Sequence, residues 1–254
     1  MNLDVAGVLA DAWRMWKRDR DLLLGVGGFF LFLPQFVVLL LVRGLPEMPK
    51  PDASEQAVRI WTEAAAQWIA HYGLIWLACG LCALFGTLLV YVLYLYKGRL
   101  DLRAALPAAL RLLPRYLLVS ILATLPIVLV HVPAIWLFLV FPIFYVLGRM
   151  LLASAVLVAE QPIGAVASLR RSIEVSRGHG FLLAGAAIPL LFGGLIVAEP
   201  FILLGQTLDG APIANPVSAA LLNAMAAAAA TFASLAAVLI QVALYRRLVA
   251  SEGI

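Results

Sequence analysis

Long apolar runs separated by short charged segments dominate the pattern of this 254-residue chain. A helix needs about 20 apolar residues to cross the roughly 30 Å hydrocarbon core of a bilayer. The runs lack the alternation of apolar and polar positions that is typical of a barrel strand, so the pattern predicts helices. Six runs meet or nearly meet the required length: 22–42, 73–95, 116–130, 135–159, 181–204 and 217–244.

The third and fourth runs are separated by the tripeptide His131-Val132-Pro133. A single helix over residues 116–159 would extend about 66 Å at 1.5 Å per residue. That length is about twice the thickness of the hydrocarbon core. We therefore predict a helical hairpin that turns at this tripeptide.

Composition places the chain in one broad class. Hydrophobic residues make up 64% of it and charged residues 13%, whereas soluble domains contain about 45–50% and about 25% respectively. The shortage of charge argues against disorder, a coiled coil and a nucleic-acid-binding tail. The composition therefore predicts an all-α integral membrane protein without a nucleic-acid partner.

The basic residues predict the orientation of the six spans. Of the 18 lysines and arginines, 15 fall in the N-terminus, the second and fourth connections and the C-terminus, all on one predicted face. The opposite face has only Arg43, Lys50 and Arg59. Because basic residues accumulate on the cytoplasmic side of membrane proteins, we expect both termini in the cytoplasm.

Three similar basic segments predict an internal repeat. Each segment precedes an outgoing span: Ala12-Trp13-Arg14, Ala109-Leu110-Arg111 and Ser168-Leu169-Arg170. We interpret them as three parallel copies, at about 1–97, 98–160 and 161–254, within a single membrane domain. Each copy would contain a cytoplasmic amphipathic helix followed by a helical hairpin.

The first and third of these segments have the spacing of amphipathic helices. In the third, Arg170 and Glu174 lie four residues apart and can form a pair, and Pro162 is suited to the first turn. The first contains Arg14, Lys17 and Arg18. These helices would either lie in the headgroup layer, with their arginines near anionic lipid phosphates, or pack beneath the bundle as connecting helices.

One long segment, 44–68, is expected on the outer face. Pro46, Pro49 and Pro51 predict an irregular start, and four acidic residues make the segment acidic. Residues 57–68 are interpreted as a short helix resting on the outer surface.

The stretch 149–180 resembles a known family. It contains Arg149, Glu160 near the end of a span, Gly164, the pattern Ala167-Ser168-Leu169-Arg170-Arg171-Ser172, and Arg177-Gly178. This order resembles the bacterial YciC-like membrane proteins and the membrane domain attached to some glycerophosphoryl diester phosphodiesterases. The resemblance implies a multi-span bacterial inner-membrane protein connected to lipids, and it carries over no catalytic residue.

The same stretch supplies the candidate site. An arginine inside a span, here Arg149, is costly and should face protein or water, or extend to the interface. Glu160 is expected to reach Arg170, Arg171 or Arg177 across the turn, as an ion-pair network that fixes it. The alternative is a cytoplasmic pocket in which Arg149, Arg171 and His179 receive a lipid phosphate.

Cys79 and Cys82 form a C-x-x-C pattern inside the second apolar run. A reactive pair needs a lowered pKa and solvent access, and the run contains no nearby cation. We interpret both cysteines as small apolar filler, with a membrane thiol oxidoreductase as a remote alternative.

The function predicted from the sequence is coarse. The chain lacks the usual catalytic and phosphate-binding motifs, and its histidines do not form a metal cluster, so we expect no enzyme activity and no cofactor. We favour a lipid-interacting or envelope-supporting protein with membrane lipids as partners, anionic ones included. A protein partner or a homo-oligomer stays open.

A small transporter or channel is the alternative function. It requires a polar cavity, although the spans contain few polar residues: Gln35, Thr87, Ser120, Thr124, Asn223 and Thr231.

Overall fold

A computed structural model describes residues 4–50, 52–97, 100–128, 136–209 and 216–252, and every regular element within these ranges is helical. Six helical stretches are long and apolar enough to cross a membrane, which confirms the predicted number of spans. A π-helical turn at Gly28–Phe32 joins the first two helices into one of these stretches. The helices are α1 (Val5–Gly27), α2 (Leu33–Leu41), α3 (Glu55–Leu95), α4 (Leu102–Val128), α5 (Trp136–Met150), α6 (Ala153–Ala159), α7 (Ala165–Val175), α8 (Gly180–Asp209) and α9 (Pro216–Glu252).

The N-terminal amphipathic segment and the first span are one helix with a kink. Asp4 caps α1 by accepting a hydrogen bond from the Gly7 amide at 2.9 Å. The backbone leaves helical geometry at Asp19 (φ −117°, ψ 23°), just before the apolar run. The kink separates the basic part of α1 from the part that enters the predicted membrane.

The second span is longer than the sequence predicts. Residues 57–68, interpreted as a separate surface helix, are instead the first turns of α3, which Ser54 caps by accepting from the Ala57 amide at 3.3 Å. The 41 residues of α3 extend about 61 Å at 1.5 Å per residue. No proline or glycine interrupts residues 55–72, so helix formation continues from the outer segment into the span.

The third span and the amphipathic segment before it also form one helix. Asp101 caps α4 by accepting a hydrogen bond from the Ala104 amide at 3.0 Å. The helix continues through Pro107, Pro114 and Pro126. The predicted hairpin turn at His131-Val132-Pro133 lies outside the described residues.

The fourth span is broken, contrary to the prediction of one helix over 135–159. A turn at Leu151 and Leu152 separates α5 from α6, and Leu152 has φ −93° and ψ 1°. The prediction for Pro162 is also wrong, because α7 begins at Ala165 with Gly164 as its N-cap residue. Pro162 instead lies in the connection between α6 and α7, after a cis peptide bond.

The hydrophobic core surrounds α6. Five of its seven residues are buried, and they pack with the buried part of α3 around Leu88–Val92 and with α9. The N-terminal half and middle of α3 are different, since Leu74 is 80% exposed and Trp76 54%. In a bilayer, lipid would cover these exposed apolar side chains.

Hydrogen bonds join the basic ends of several helices at the same end of the bundle. The Tyr94 hydroxyl donates to Asp19 at 2.8 Å, and Arg246 donates to the Tyr94 carbonyl at 2.6 Å. Arg247 donates to Asp11 at 2.6 Å. The basic part of α1, the end of α3 and the end of α9 therefore lie together, close to the core around α6.

The threefold repeat stays a prediction. Its amphipathic segments differ in structure, since the first two are continuous with the span that follows. The third is the separate helix α7, connected to α8 through Gly178.

Candidate functional site

Arg149 faces protein, which is one of the three surroundings that the sequence predicts for it. One guanidinium nitrogen donates to the Tyr145 hydroxyl at 3.1 Å, and the other donates to the Ile173 carbonyl on α7. In return, the buried Ser172 hydroxyl donates to the Arg149 carbonyl at 2.8 Å. Arg149 therefore joins the end of α5 to the end of α7.

Glu160 connects three helices at the turn after α6. Its carboxylate accepts from Arg171 Nε at 3.3 Å and from the Tyr245 hydroxyl of α9 at 3.1 Å. Arg171 also lies 3.8 Å from Glu174. Of the three predicted partners of Glu160, Arg171 is thus the one that the structure brings to it, and the arrangement matches the predicted ion-pair network.

The other basic residues of the stretch have different surroundings. Arg170 pairs with Glu174 at 3.4 Å, four residues along α7 as the spacing predicts, and its side chain is 85% exposed. Arg177 is exposed and has no carboxylate within 4 Å among the described residues. The His179 ring nitrogen Nδ1 lies 3.3 Å from the Arg177 carbonyl.

A cleft between α4 and α7 contains two of these arginines. It encloses about 640 Å³. Its apolar wall comes from both helices and from Met150, whereas Arg170, Glu174 and Arg177 supply its charged part. The apolar residues are Leu122, Leu125, Pro126, Met150, Val166, Leu169 and Ile173. An apolar cleft beside guanidinium groups is suited to a molecule with a hydrocarbon chain and an anionic group.

The basic N-terminal helix has two apolar faces. Val8, Ala12 and Met15 are buried, whereas Leu9 and Trp13 stay about half exposed. The exposed pair would lie against the headgroup layer, so packing on the bundle and contact with lipid both occur on this helix.

The three candidate basic residues of this helix each have a nearby partner. Arg14 pairs with Asp11, and Arg18 pairs with Asp19 at 2.7 Å. The Lys17 ammonium lies 5.7 Å from the centre of the Trp13 ring. Such cation–aromatic pairs are common at membrane interfaces because the ring is apolar and the cation stays hydrated.

A second cavity lies within the bundle, among the spans. It encloses about 320 Å³ and is lined by α3, α4, α5, α8, α9 and the segment from Leu151 to Ser154. Eight of its lining residues carry a hydroxyl or amide group: Thr87, Tyr91, Tyr116, Ser120, Thr124, Ser154, Ser234 and Gln241. Sequence reasoning identified three of them as polar and overlooked Gln241, whose position inside an apolar run is the signal that could have revealed the cavity.

Cys79 and Cys82 are free thiols just past the middle of α3, and each is partly exposed. Their neighbours Trp76, Leu77 and Leu81 are exposed apolar side chains. This position agrees with two small apolar side chains on a lipid-facing surface. Reactivity of the two thiols stays a prediction, which labelling with a thiol reagent would test.

Comparison with known proteins assigns neither a family nor a function to this chain. No protein family, curated protein or solved structure matches this chain. The likeness to YciC-like proteins therefore remains a prediction from the stretch 149–180.

Proposed function

We propose that this chain is a bacterial inner-membrane protein without enzyme activity that binds anionic phospholipid in the α4–α7 cleft. The supporting observation is the cleft itself, in which an apolar wall stands beside the exposed guanidinium groups of Arg170 and Arg177. An acyl chain would cover the apolar wall, and the lipid phosphate would accept hydrogen bonds from the arginines. Both termini lie in the cytoplasm in this proposal, which is supported by the distribution of lysine and arginine.

Arg149 and Arg171 have a structural role in this proposal. Their guanidinium groups hold α7 against α5 and α6 through Ile173 and Glu160. Replacing either one would shift α7 and change the cleft indirectly. The residues that test lipid binding are therefore Arg170, which shares only Glu174 with this network, and Arg177, which has no carboxylate within 4 Å among the described residues.

The experiment compares lipid that co-purifies with the parent protein and with the double variant Arg170→Ala/Arg177→Ala. In nanodiscs of phosphatidylglycerol and phosphatidylcholine, the variant should retain at least about tenfold less tightly bound phosphatidylglycerol, because a charge-assisted hydrogen bond contributes about 1.5–3 kcal/mol and about 1.4 kcal/mol corresponds to a factor of ten. Arg59→Ala is the matched control, because it removes a basic residue from α3, far from the cleft along the chain. Equal phosphatidylglycerol in all three proteins would refute the proposal.

Transport is the second candidate, and the polar cavity among the spans favours it. A transporter of small uncharged solutes would raise glycerol entry into proteoliposomes above that of protein-free vesicles. The lipid-binding proposal expects equal entry in both. A flux that Gln241→Leu abolishes would support transport over lipid binding.

A further inference from the structure

Buried side chains line the cavity on the side nearest the basic end of the bundle. Tyr91 and Gln241 lie six residues before Lys97 and five before Arg246, so they are the lining residues of α3 and α9 nearest that end. The Tyr91 hydroxyl donates to Gln241 Oε1 at 2.5 Å, and the two residues are only 2% and 7% exposed. This buried pair joins α3 to α9 on the side of the cavity nearest the basic end.

The exposed lining residues point to an opening toward the surface that lipid would cover. Thr124 of α4 and Leu191 of α8 line it and are both exposed, Leu191 by 41%. Thr124 lies nine residues after Arg115, a depth of about 13 Å along a helix. A ligand that reaches this opening would come from the bilayer, so it must be soluble in lipid.

The hydroxyl groups of the lining indicate the polar part of such a ligand. The hydroxyls of Thr87, Ser120 and Thr124 donate to carbonyls of their own helices at 2.9 Å each. A hydroxyl that has donated its hydrogen still has a lone pair that can accept one. These side chains therefore offer acceptors to the cavity, and a ligand satisfies them with its own hydroxyl groups.

The charge and polarity of the lining residues restrict the chemical class of the ligand further. No charged residue lines the cavity among the residues that the structure describes. Burying an ion there would require desolvation without a counter-charge, and a pure hydrocarbon would leave the remaining acceptor lone pairs of the lining hydroxyls unused. The remaining class is an uncharged molecule with hydroxyl groups on an apolar body.

We propose that this cavity binds an uncharged, hydroxyl-bearing amphiphile from the bilayer, of the monoacylglycerol type. The hydroxylated head enters between α4 and α8 and donates to Thr87 and Ser120, while Gln241 Nε2 donates to it from the floor. The hydrocarbon chain extends through the opening into the bilayer. This site is separate from the α4–α7 cleft, although Met150 lines both.

The test uses monooleoylglycerol with a photoreactive diazirine near its head, added to the full-length protein in nanodiscs. Cross-links should concentrate on the parts of α4 and α9 that line the cavity. Excess monooleoylglycerol should prevent them, whereas methyl oleate, which has no hydroxyl groups, should not. Equal competition by methyl oleate, or cross-links spread evenly over the lipid-facing helices, would overturn the proposal.

Substitutions give a second measurement. The triple variant Thr87→Val/Ser120→Ala/Ser234→Ala should reduce cross-linking about tenfold or more, since each lost hydrogen bond contributes about 1 kcal/mol. Thr231→Val is the matched control, because this hydroxyl donates to its own helix at 2.8 Å and does not line the cavity. Undiminished labelling of the triple variant would contradict the proposal.

The Arg170→Ala/Arg177→Ala variant separates the two binding proposals. It should lose phosphatidylglycerol and keep monooleoylglycerol labelling. The competition measurement on the parent protein needs no variant, so it decides the cavity proposal even if the triple variant fails to fold.

Discussion

Single residues explain why the stretch around α7 has its characteristic pattern. Ser168 and Ser172 are fully buried, so only small side chains fit there. The Ser172 hydroxyl reaches the Arg149 carbonyl, and Arg149 in turn reaches the Ile173 carbonyl. The serine and the arginine therefore act together, by exchanging hydrogen bonds between α5 and α7.

The ion pair of Glu160 and Arg171 gives a prediction at this scale. Both side chains are about 30% exposed, at 27% and 31%. We expect a double-mutant cycle with Glu160→Gln and Arg171→Leu to give a coupling energy of about 1 kcal/mol in thermal unfolding in detergent. A cycle with Glu160→Gln and Arg170→Leu is the control and should give a smaller coupling, because Arg170 reaches this pair only through Glu174. Equal coupling in both cycles would contradict the network that the structure shows.

Gly178 gives a second prediction. It has φ +80°, a left-handed conformation that glycine adopts without strain. Gly178→Ala should lower the free energy of unfolding by about 1 kcal/mol. Gly185→Ala is the control, because nothing lies within 4 Å of its added carbon in α8, and it should not destabilise the protein. A loss in Gly185→Ala that equals the loss in Gly178→Ala would show that the turn is not the cause.

At the scale of elements, helix boundaries depend on signals of unequal strength. Asp101 caps α4 because an aspartate side chain accepts from an exposed amide, and the sequence predicts this directly. The break at Leu151 and Leu152 has no glycine or proline to mark it, so the sequence predicts a continuous helix there. Tertiary packing of α6 against α3, α7 and α9 accounts for the break.

The contact between α5 and α8 depends on one glycine. A carbon added at Gly148 would lie 2.4 Å from the Ala184 backbone nitrogen, closer than real contacts allow. Gly148→Ala should therefore push the helices apart and lower the free energy of unfolding by about 1–3 kcal/mol. Gly193→Ala, with open space around the new carbon, should change it little. Similar melting temperatures for the two variants would argue against this close approach.

Two tryptophans hold the connection between α2 and α3 against α3. Trp68 donates to the Arg43 carbonyl at 2.7 Å, and Trp61 donates to the Pro46 carbonyl at 3.2 Å. Trp68→Phe should loosen this connection, so trypsin should cleave after Arg43 several times faster. Trp76→Phe is the control, because it leaves both indole hydrogen bonds intact. Unchanged cleavage of Trp68→Phe would contradict the predicted effect.

At the scale of the whole molecule, the number of spans follows from the sequence, whereas the internal cavity does not. Apolar length alone identifies six crossings, because hydrocarbon excludes unpaired backbone groups. The cavity depends on residues far apart in the chain, such as Tyr91 and Gln241, which only the packing of α3 and α9 brings together. The network at Glu160 is intermediate, because charge predicts candidate partners and packing selects Arg171.

The orientation of the chain is tested most directly by reporter fusions. We expect green fluorescent protein fused to either terminus to fluoresce, and alkaline phosphatase at the same positions to be inactive. Alkaline phosphatase inserted near Glu47, in the connection between α2 and α3, should be active. Active phosphatase at one terminus and inactive phosphatase at the other would contradict six crossings with both ends in the cytoplasm.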